Sequence, residues 1–293
     1  MWGTFLLFEG ADSARGVVRG TFINRNHLAN LLVLALSAGT GLLLAQMNLA
    51  GAATFRQRLR SFLQAVLGPK GRLRIFMVLM VIALVLTRSR MGNTAFFAAI
   101  TLVGLFALVR LRKPSRPLLV LVVSVLIIDV VVVGTWFGVE QVIDRIQQTA
   151  QMTPDEWQVR ERNRVNANRE SLQIIAERPL TGWGGESFYT VYPAWRGSDQ
   201  QFMDHAHNDY LEFLVEYGLV GGALLMAFVL LCLWRAQRGL EDRDRPRRFG
   251  IAFASAMAMT GMLIHASVDF SLHIPANAAW FLVLCLLPYT VRE

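Results

Sequence analysis

The chain has 293 residues, of which 54% are hydrophobic and 17% charged, and its mean hydropathy is +0.41. These values are too high for an ordinary soluble domain, so the composition indicates a membrane protein. The net charge of +8 at pH 7 does not indicate a nucleic-acid partner, because basic residues beside membrane spans are the expected orientation signal. Both cysteines lie in apolar runs, and neither a disulfide framework nor a cysteine metal site is predicted.

Apolar runs of about 17–25 residues predict about seven membrane-spanning helices. We therefore predict an all-α integral membrane protein that forms a single membrane domain over residues 1–293. The predicted spans are roughly 28–48, 73–88, 91–110, 117–137, 210–234, 249–268 and 276–290.

The loops between these spans predict the orientation of the chain. Residues 49–74 and 110–116 carry arginine and lysine but no acid, and residues 235–248 carry six arginines and three acids. These three loops alternate along the chain, so a single topology places all of them in the cytoplasm. The long loop 138–209 and the turn at 86–92 then lie on the outer face.

The loop 138–209 is predicted to have structure of its own. With about 70 residues it is too long for a passive connector between two spans. Its middle is predicted to be a helix that stops before Pro179, and TGWGG at 181–185 is predicted to be a turn. The sequence thus predicts a periplasmic loop that contains helices.

Arginines stand at the predicted outer boundary, in LTRSRMG at 86–92, against the positive-inside trend. Arg88 and Arg90 could reach into lipid headgroups. Alternatively, they could bind an anion, because a guanidinium forks onto phosphate oxygens with two parallel hydrogen bonds. A diphosphate at the membrane surface would suit such a pair. The predicted loop helix carries more arginines, of which at least one could face the same anion: Arg160, Arg162, Arg164 and Arg169.

The segment DHAHNDYLEFLVEYGLVGG at 204–222 is the most informative part of the chain, and it contains the pattern H-N-x9-G-x-x-G. An ionisable imidazole where a membrane helix begins needs a partner, so it indicates a functional site. His205 and His207, with Asp204 and Asp209, could be metal ligands or satisfied structural residues. A histidine could also be a general base, because neutral imidazole accepts a hydroxyl proton near pH 7. Asp269, near the last outer turn, could orient an imidazole or cap a helix.

The chain has no G-x-S-x-G elbow, Walker loop, H-E-x-x-H motif or dinucleotide fingerprint, so soluble hydrolase, kinase and dehydrogenase functions have no support. A transporter of lipid-linked glycans, a flippase, is an alternative from another functional class. Transporters usually place charges inside spans at mid-depth, whereas the charges here are predicted at the outer boundary.

Four stretches together resemble the O-antigen ligase and polymerase family of bacterial membrane glycosyltransferases, and the resemblance runs from GTFINRNHLAN at 20–30 to the last span. The most specific is the H-N-x9-G-x-x-G signature in HAHNDYLEFLVEYGLVGG. Asn168 stands where the family usually has an aromatic residue. Members usually have more spans, so we expect upstream spans to be missing from this chain. The other three stretches are SRMG at 89–92, RVNANRESLQIIAERPLTGWG at 164–184 and HASVDFSLHIPANA at 265–278.

The resemblance implies an undecaprenyl-diphosphate-linked glycan as donor. It would be used on the periplasmic face of the bacterial inner membrane, without metal, nucleotide or other cofactor. Arg90 and Arg164 are carried over as catalytic residues that bind the donor diphosphate, and His207 as the catalytic residue that acts on the acceptor hydroxyl. Further substrate-binding residues are expected at Arg25, Arg88, His205, Asn208 and Asp269.

The acceptor stays open at this point. Ligases of the family join the glycan to lipid A–core, polymerases join it to another lipid-linked glycan, and related oligosaccharyltransferases join it to protein. The expected partners are therefore the lipid-linked donor, one of these acceptors and the membrane lipids, with no nucleic acid.

Overall fold

The computed structural model describes residues 18–46, 69–110, 154–197, 202–242 and 244–291, with the backbone alone for 69–70 and 154–164. The predicted span 117–137 and the start of the predicted periplasmic loop lie outside these ranges. The chain divides into two compact units. Unit 1 comprises Met1–Leu119, Val229–His265 and Ile274–Glu293, and unit 2 comprises Val120–Phe228 and Ala266–His273.

Every regular element in the described ranges is helical, as predicted. The α-helices are α1 (Arg25–Ala45), α2 (Pro69–Leu86), α3 (Arg90–Arg110), α4 (Pro154–Glu177), α5 (Phe188–Val191), α6 (Asp209–Gly239), α7 (Pro246–Ala266) and α8 (Pro275–Thr290). Two short 3₁₀ turns cover Tyr192–Ala194 and Ser271–His273.

Helices form at the predicted spans wherever the chain is described. Among the described residues, α1, α3, α6 and α7 are long and apolar enough to cross a membrane. The helix α8 is apolar but shorter than these four. The first turns of α2 carry the basic residues Lys70, Arg72 and Arg74. The chain is therefore a multi-pass membrane protein, and its total of seven spans stays a prediction.

Local capping explains where two of these helices begin. The Asn24 side chain accepts a hydrogen bond from the Asn26 backbone N–H, 2.9 Å away, at the start of α1. The Ser89 hydroxyl accepts from Gly92 N–H at the start of α3, at 3.1 Å. Such side-chain acceptors satisfy backbone donors that the first turn of a helix leaves without partners. Short polar side chains thus fix the starts of these two helices.

Unit 1 gathers the starts of α1 and α8 and the end of α2. Val18 N–H donates to the carbonyl of Leu86, the last residue of α2, at 3.1 Å. The Asn277 amide, in the first turn of α8, donates to the carbonyl of His27 in α1 at 3.2 Å. These contacts bring together helix ends that the predicted topology places on one face of the membrane. Which face is periplasmic stays a prediction.

The opposite end of unit 1 is held by small residues and by charge. A Cβ atom at Gly41 of α1 would lie 2.3 Å from the carbonyl oxygen of Gly250 in α7, so the two backbones touch. Close backbone approach through small residues is typical of packed membrane helices. Arg110, at the end of α3, pairs with Glu241, directly after α6. This ion pair joins the loops that follow α3 and α6, both of which the sequence predicts to be cytoplasmic.

Unit 2 has a separate buried core of side chains from α4, α5 and the first half of α6. The rings of Phe188 and Tyr192 stack with centroids 5.1 Å apart. Trp183 packs against this core and donates from its indole to the carbonyl of Ile174 at 3.2 Å. The fully buried members are Ala167, Ile174, Phe188, Tyr192, Ala206 and Val215.

Candidate active site

The helix α6 is interrupted at Gly218, the first glycine of the H-N-x9-G-x-x-G pattern. Its φ of 64° and ψ of −171° are not helical, and this region of backbone conformation is almost restricted to glycine. The break leaves backbone groups on either side of it without partners in the helix. A break here is therefore possible only if another segment supplies those partners.

The loop after α4 supplies them. Trp183 and Gly184 donate their backbone N–H groups to the carbonyls of Val215 and Glu216, at 2.9 and 2.8 Å. In return, Leu219 N–H donates to the carbonyl of Pro179 at 2.7 Å. We call this pairing of 179–184 with 215–220 the loop–helix lock. It joins the P-x-x-G-x-G stretch and the H-N-x9-G stretch, which the sequence presents as two separate motifs.

A cluster of buried carboxylates and histidines lies at the start of α6. Asp209, Glu212 and Glu216 are each at most 2% exposed, and their spacing puts them on one face of the helix. His273, from the turn 271–273, has its Nδ1 2.8 Å from Asp209 Oδ1, which accepts the hydrogen bond. His205 Nδ1 lies 2.6 Å from Glu212 Oε1. We call these five residues the carboxylate–histidine cluster.

The cluster favours positive charge on its histidines. Burial alone would lower the pKa of His273, but the hydrogen bond to Asp209 and the nearby carboxylates of Glu216 and Glu212 outweigh burial and raise that pKa to about 10. Burial also opposes the charge on His205, and the hydrogen bond to Glu212 outweighs it and raises the pKa of His205. A protonated imidazole cannot accept a further proton, so the His273 ring does not suit a general base.

His207 lies in a different environment from His205. Its Nδ1 is 3.6 Å from Asp269 Oδ1, and its ring meets the edge of Phe270 with centroids 5.1 Å apart. The His207 side chain is 19% exposed, whereas Asp269 is 1% exposed. A buried carboxylate beside one ring nitrogen can orient an imidazole and leave the other nitrogen to exchange a proton. The His207–Asp269 pair therefore has the form of an acid–base site.

His205 instead belongs to the packing of the cluster. Its ring stacks on Phe270 with centroids 3.9 Å apart, and its Nδ1 is held by Glu212. Asn208, predicted to bind substrate, caps α6: its side-chain oxygen accepts from the N–H groups of Tyr210 and Leu211, at 3.1 and 3.3 Å. The structure thus gives both residues supporting contacts, and their substrate-binding roles stay predictions.

The predicted arginines of unit 1 lie at the starts of helices. Arg25 is the first residue of α1 and Arg90 the first of α3, and both are exposed, as is Arg88 in the preceding turn. The first turn of a helix carries partial positive charge from its backbone N–H groups. Fixed guanidinium groups at such positions add to this charge and suit an anion.

Arg88 and His207 share an unusual backbone. Both have φ of 51°, in the left-handed region that few non-glycine residues adopt. Such strain costs about 1–3 kcal/mol and is concentrated at functional sites. The turn at Arg88 is supported by Thr87, whose hydroxyl donates to the Leu84 carbonyl at 2.6 Å and accepts from Ser89 N–H at 3.2 Å.

The predicted site residues therefore fall into two groups. Arg25, Arg88 and Arg90 belong to unit 1, and His207 belongs to unit 2 with its neighbours in the signature and with Asp269. Arg164 lies in α4 of unit 2, and its side chain is outside the described residues. A single site that unites these arginines with His207 stays a prediction.

Glu212 and Glu216 were not predicted to be members of a buried cluster. Their signal was present as D-x-x-E-x-x-x-E over 209–216, a spacing that puts all three carboxylates on one helical face. The pairing of His273 with Asp209 joins residues 64 positions apart. No local pattern predicts that contact.

The comparisons with known proteins agree with this architecture. No curated protein matches the chain. The family described as O-antigen ligase matches residues 75–226, more than half of the chain, from α2 to the apolar part of α6. The matched region includes the Arg88–Arg90 turn, the loop–helix lock and the signature at His207. The chain therefore belongs to the O-antigen ligase family, whose members carry out glycosyl transfer of the ligase or polymerase type.

Proposed function

We propose that this protein transfers a glycan from an undecaprenyl-diphosphate-linked donor to a hydroxyl group of an acceptor, on the periplasmic face of the bacterial inner membrane. The observation that carries the proposal is the His207–Asp269 pair, at 3.6 Å, within the family signature at the start of an apolar helix. It offers a base where a membrane-bound donor and a water-exposed acceptor can both arrive.

The reaction needs one proton acceptor and one stabiliser of negative charge. His207, with Nδ1 beside Asp269, takes the acceptor hydroxyl proton on Nε2 while the hydroxyl oxygen attacks the anomeric carbon. The bond from that carbon to the diphosphate oxygen breaks, and undecaprenyl diphosphate leaves with the bonding electrons. Arg90 and Arg164 stabilise its charge through charge-assisted hydrogen bonds, so the departure of this group needs no metal.

Arg88 and Arg25 extend the anion-binding surface in this proposal. Arg25 and Arg90 both begin helices, so the backbone dipoles reinforce the side-chain charges. The left-handed backbone of Arg88 is consistent with strain held for binding. A diphosphate with several negative oxygens can engage more than one guanidinium at once.

The test is glycan transfer by the purified protein in nanodiscs with a lipid-linked glycan as donor. Arg90→Ala should remove most of the activity, and Arg90→Lys should restore only part of it, because lysine cannot form the two-pronged contact. Arg245→Ala is the matched control, since this exposed arginine lies on the α6–α7 loop and pairs with Asp242 at 3.5 Å. Wild-type turnover from Arg90→Ala and Arg164→Ala would refute the diphosphate role.

The acceptor is decided by deleting the gene and examining the surface glycans. Loss of long chains from lipid A–core, with accumulation of the donor, identifies a ligase. Capping by a single repeat identifies a polymerase, and loss of glycan from proteins identifies a protein oligosaccharyltransferase. Translocation of the lipid-linked glycan in liposomes, without any transfer product, would instead identify a flippase and refute the proposed reaction.

A further inference from the structure

We propose that Glu212, Glu216 and His273 form a binding site for a divalent transition-metal ion. The site uses none of the residues assigned to the diphosphate or to the acceptor hydroxyl, and the inference does not depend on the proposed glycosyl transfer. Two ligands come from successive turns of α6 and the third from the turn 271–273, all within unit 2. One ligand atom from each residue lies within 4.8 Å of the others.

The distances between these atoms suit a shared ion better than direct contact. His273 Nε2 lies 3.5 Å from Glu216 Oε2 and 3.7 Å from Glu212 Oε1. Both separations are long for a hydrogen bond to a charged group, which is usually about 2.7–2.9 Å. Ligands about 2.0–2.1 Å from a tetrahedral ion are separated by about 3.3–3.5 Å, so small adjustments would place the three atoms around one ion.

Glu212 Oε1 already has a partner in His205 Nδ1, at 2.6 Å, but two other atoms of the site have none among the described residues. His273 Nε2 and Glu216 Oε1 are fully buried and have no hydrogen-bond partner among the described residues. Glu216 is 2% exposed, and the His273 side chain is 9% exposed. Buried polar atoms are nearly always satisfied, and an unsatisfied carboxylate is especially costly. A cation bound by His273 Nε2 and by both oxygens of the Glu216 carboxylate would satisfy both atoms.

The surrounding hydrogen bonds are those that metal ligands usually have. Asp209 Oδ1 lies 2.8 Å from His273 Nδ1, and Asp209 Oδ2 accepts from Leu272 N–H at 3.0 Å. With Nδ1 as the donor to Asp209, Nε2 releases its proton when a metal binds and coordinates through its lone pair, which is the usual carboxylate–histidine–metal arrangement. Glu212 is fixed similarly, because its Oε2 accepts from Ala206 N–H at 2.9 Å.

The donor set selects the kind of ion. One imidazole nitrogen and two carboxylate oxygens suit Zn²⁺ or Mn²⁺, whereas Mg²⁺ and Ca²⁺ prefer oxygen ligands alone. A dication also balances the charges of the two carboxylates, which solvent does not reach. The ion would tie the start of α6 to the turn 271–273 and thereby hold the segment that carries His207 and Asp269. Its role would be to position these residues and not to react.

The experiment uses the full chain in detergent, stripped with a chelator and then given Zn²⁺ or Mn²⁺ alone, with Mg²⁺ for comparison. We expect about one equivalent of Zn²⁺ after gel filtration, and X-ray absorption should show only nitrogen and oxygen ligands at roughly 2.0–2.2 Å. Saturating metal at about 100 times its Kd should raise Tm by about 5–10 °C. Mg²⁺ should give no comparable shift.

Variants locate the ion. Glu216→Gln keeps the side-chain volume and should abolish both the stoichiometric binding and the Tm shift. Asp209→Asn should weaken binding by about 10- to 100-fold, as expected for a residue that orients a ligand. Asp204→Asn is the matched control, because Asp204 is an exposed acid beside His205. Less than a fifth of an equivalent in the wild-type protein, or undiminished binding by a folded Glu216→Gln variant, would overturn the proposal.

Discussion

Substitution of Gly218 by alanine tests the loop–helix lock most directly. A Cβ atom at this position would lie 2.4 Å from the carbonyl oxygen of Leu180 and 2.6 Å from the backbone nitrogen of Gly182. Real Cβ atoms do not approach other atoms so closely, and both neighbours are backbone atoms that no rotamer change can move. The φ of 64° with ψ of −171° adds strain of its own for any L side chain.

The size of the effect follows from two opposing terms. Backbone strain costs about 1–3 kcal/mol, and forced displacement of packed groups costs about another 1–3 kcal/mol. Against this, four backbone hydrogen bonds hold the lock, each with a net contribution of about 0.5–1.5 kcal/mol. Because the two totals are of similar size, we expect alanine to open the lock without unfolding the whole protein.

Hydrogen exchange followed by mass spectrometry measures this opening. In Gly218→Ala, peptides that cover 179–185 and 215–221 should exchange about 100-fold faster or more than in the wild type, since a loss of about 2.7 kcal/mol corresponds to that factor. Peptides from α1 and α3, in unit 1, should keep their protection.

Two further substitutions separate strain from steric overlap. Gly184→Ala introduces a side chain at φ 109°, but no atom lies within 4 Å of the new Cβ, so it should show the strain alone. Gly222→Ala meets only the end of the Leu214 side chain, at 2.8 Å, and should behave nearly as the wild type. If Gly218→Ala exchanged as slowly as Gly222→Ala in both peptides, the lock would not depend on this glycine.

Three other outcomes are expected. In transfer assays, His207→Ala should lower the rate by about 10²–10⁴, which is the usual contribution of a general base, and should leave donor binding unchanged. His205→Ala should have a milder effect. Equal losses of rate in the two variants, reversed by added Zn²⁺, would contradict the assignment of His207 as the base. Asp269→Asn should lower kcat by about 10-fold or more, which is part of the effect expected for loss of the general base itself, and should leave the KM for the donor unchanged. An unchanged kcat would exclude a role of Asp269 in positioning His207. Gly41→Leu should destabilise unit 1 by about 1–3 kcal/mol, whereas Gly39→Ala meets only the flexible Met77 side chain, at 3.2 Å, and should change Tm little.

The helices were predictable because each depends on local features. The apolar runs place α1, α3 and α7 within a few residues of their predicted bounds, and Pro179 follows closely after α4 as expected. The break at Gly218 was not predictable from hydropathy, since apolar residues continue through it. It depends on a loop more than thirty residues earlier that satisfies the exposed backbone groups.

The site was predictable where its chemistry is local and unpredictable where it is tertiary. The H-N-x9-G-x-x-G pattern indicated His207 as a candidate, and the charge pattern indicated the Arg88–Arg90 turn as another. The pairing of His207 with Asp269, at 3.6 Å, joins two segments separated by all of α6 and all of α7. The left-handed backbone of Arg88 likewise depends on the hydrogen bonds of the turn and not on the residue type alone.

The carboxylate–histidine cluster imposes an order on biogenesis. Asp209 and His273 are 64 residues apart, so at synthesis rates of about 5–20 residues per second the histidine emerges roughly 3–13 seconds after the aspartate. During that interval the first turns of α6 present three carboxylates to the translocation machinery. His273, the positively charged side chain that later lies beside them, has not yet been synthesised. These acids can remain at the aqueous boundary while α6 and α7 enter the lipid, and they become buried only when the turn 271–273 closes over them. Nascent chains arrested before residue 273 should therefore leave Glu216 accessible to water-soluble carboxyl reagents.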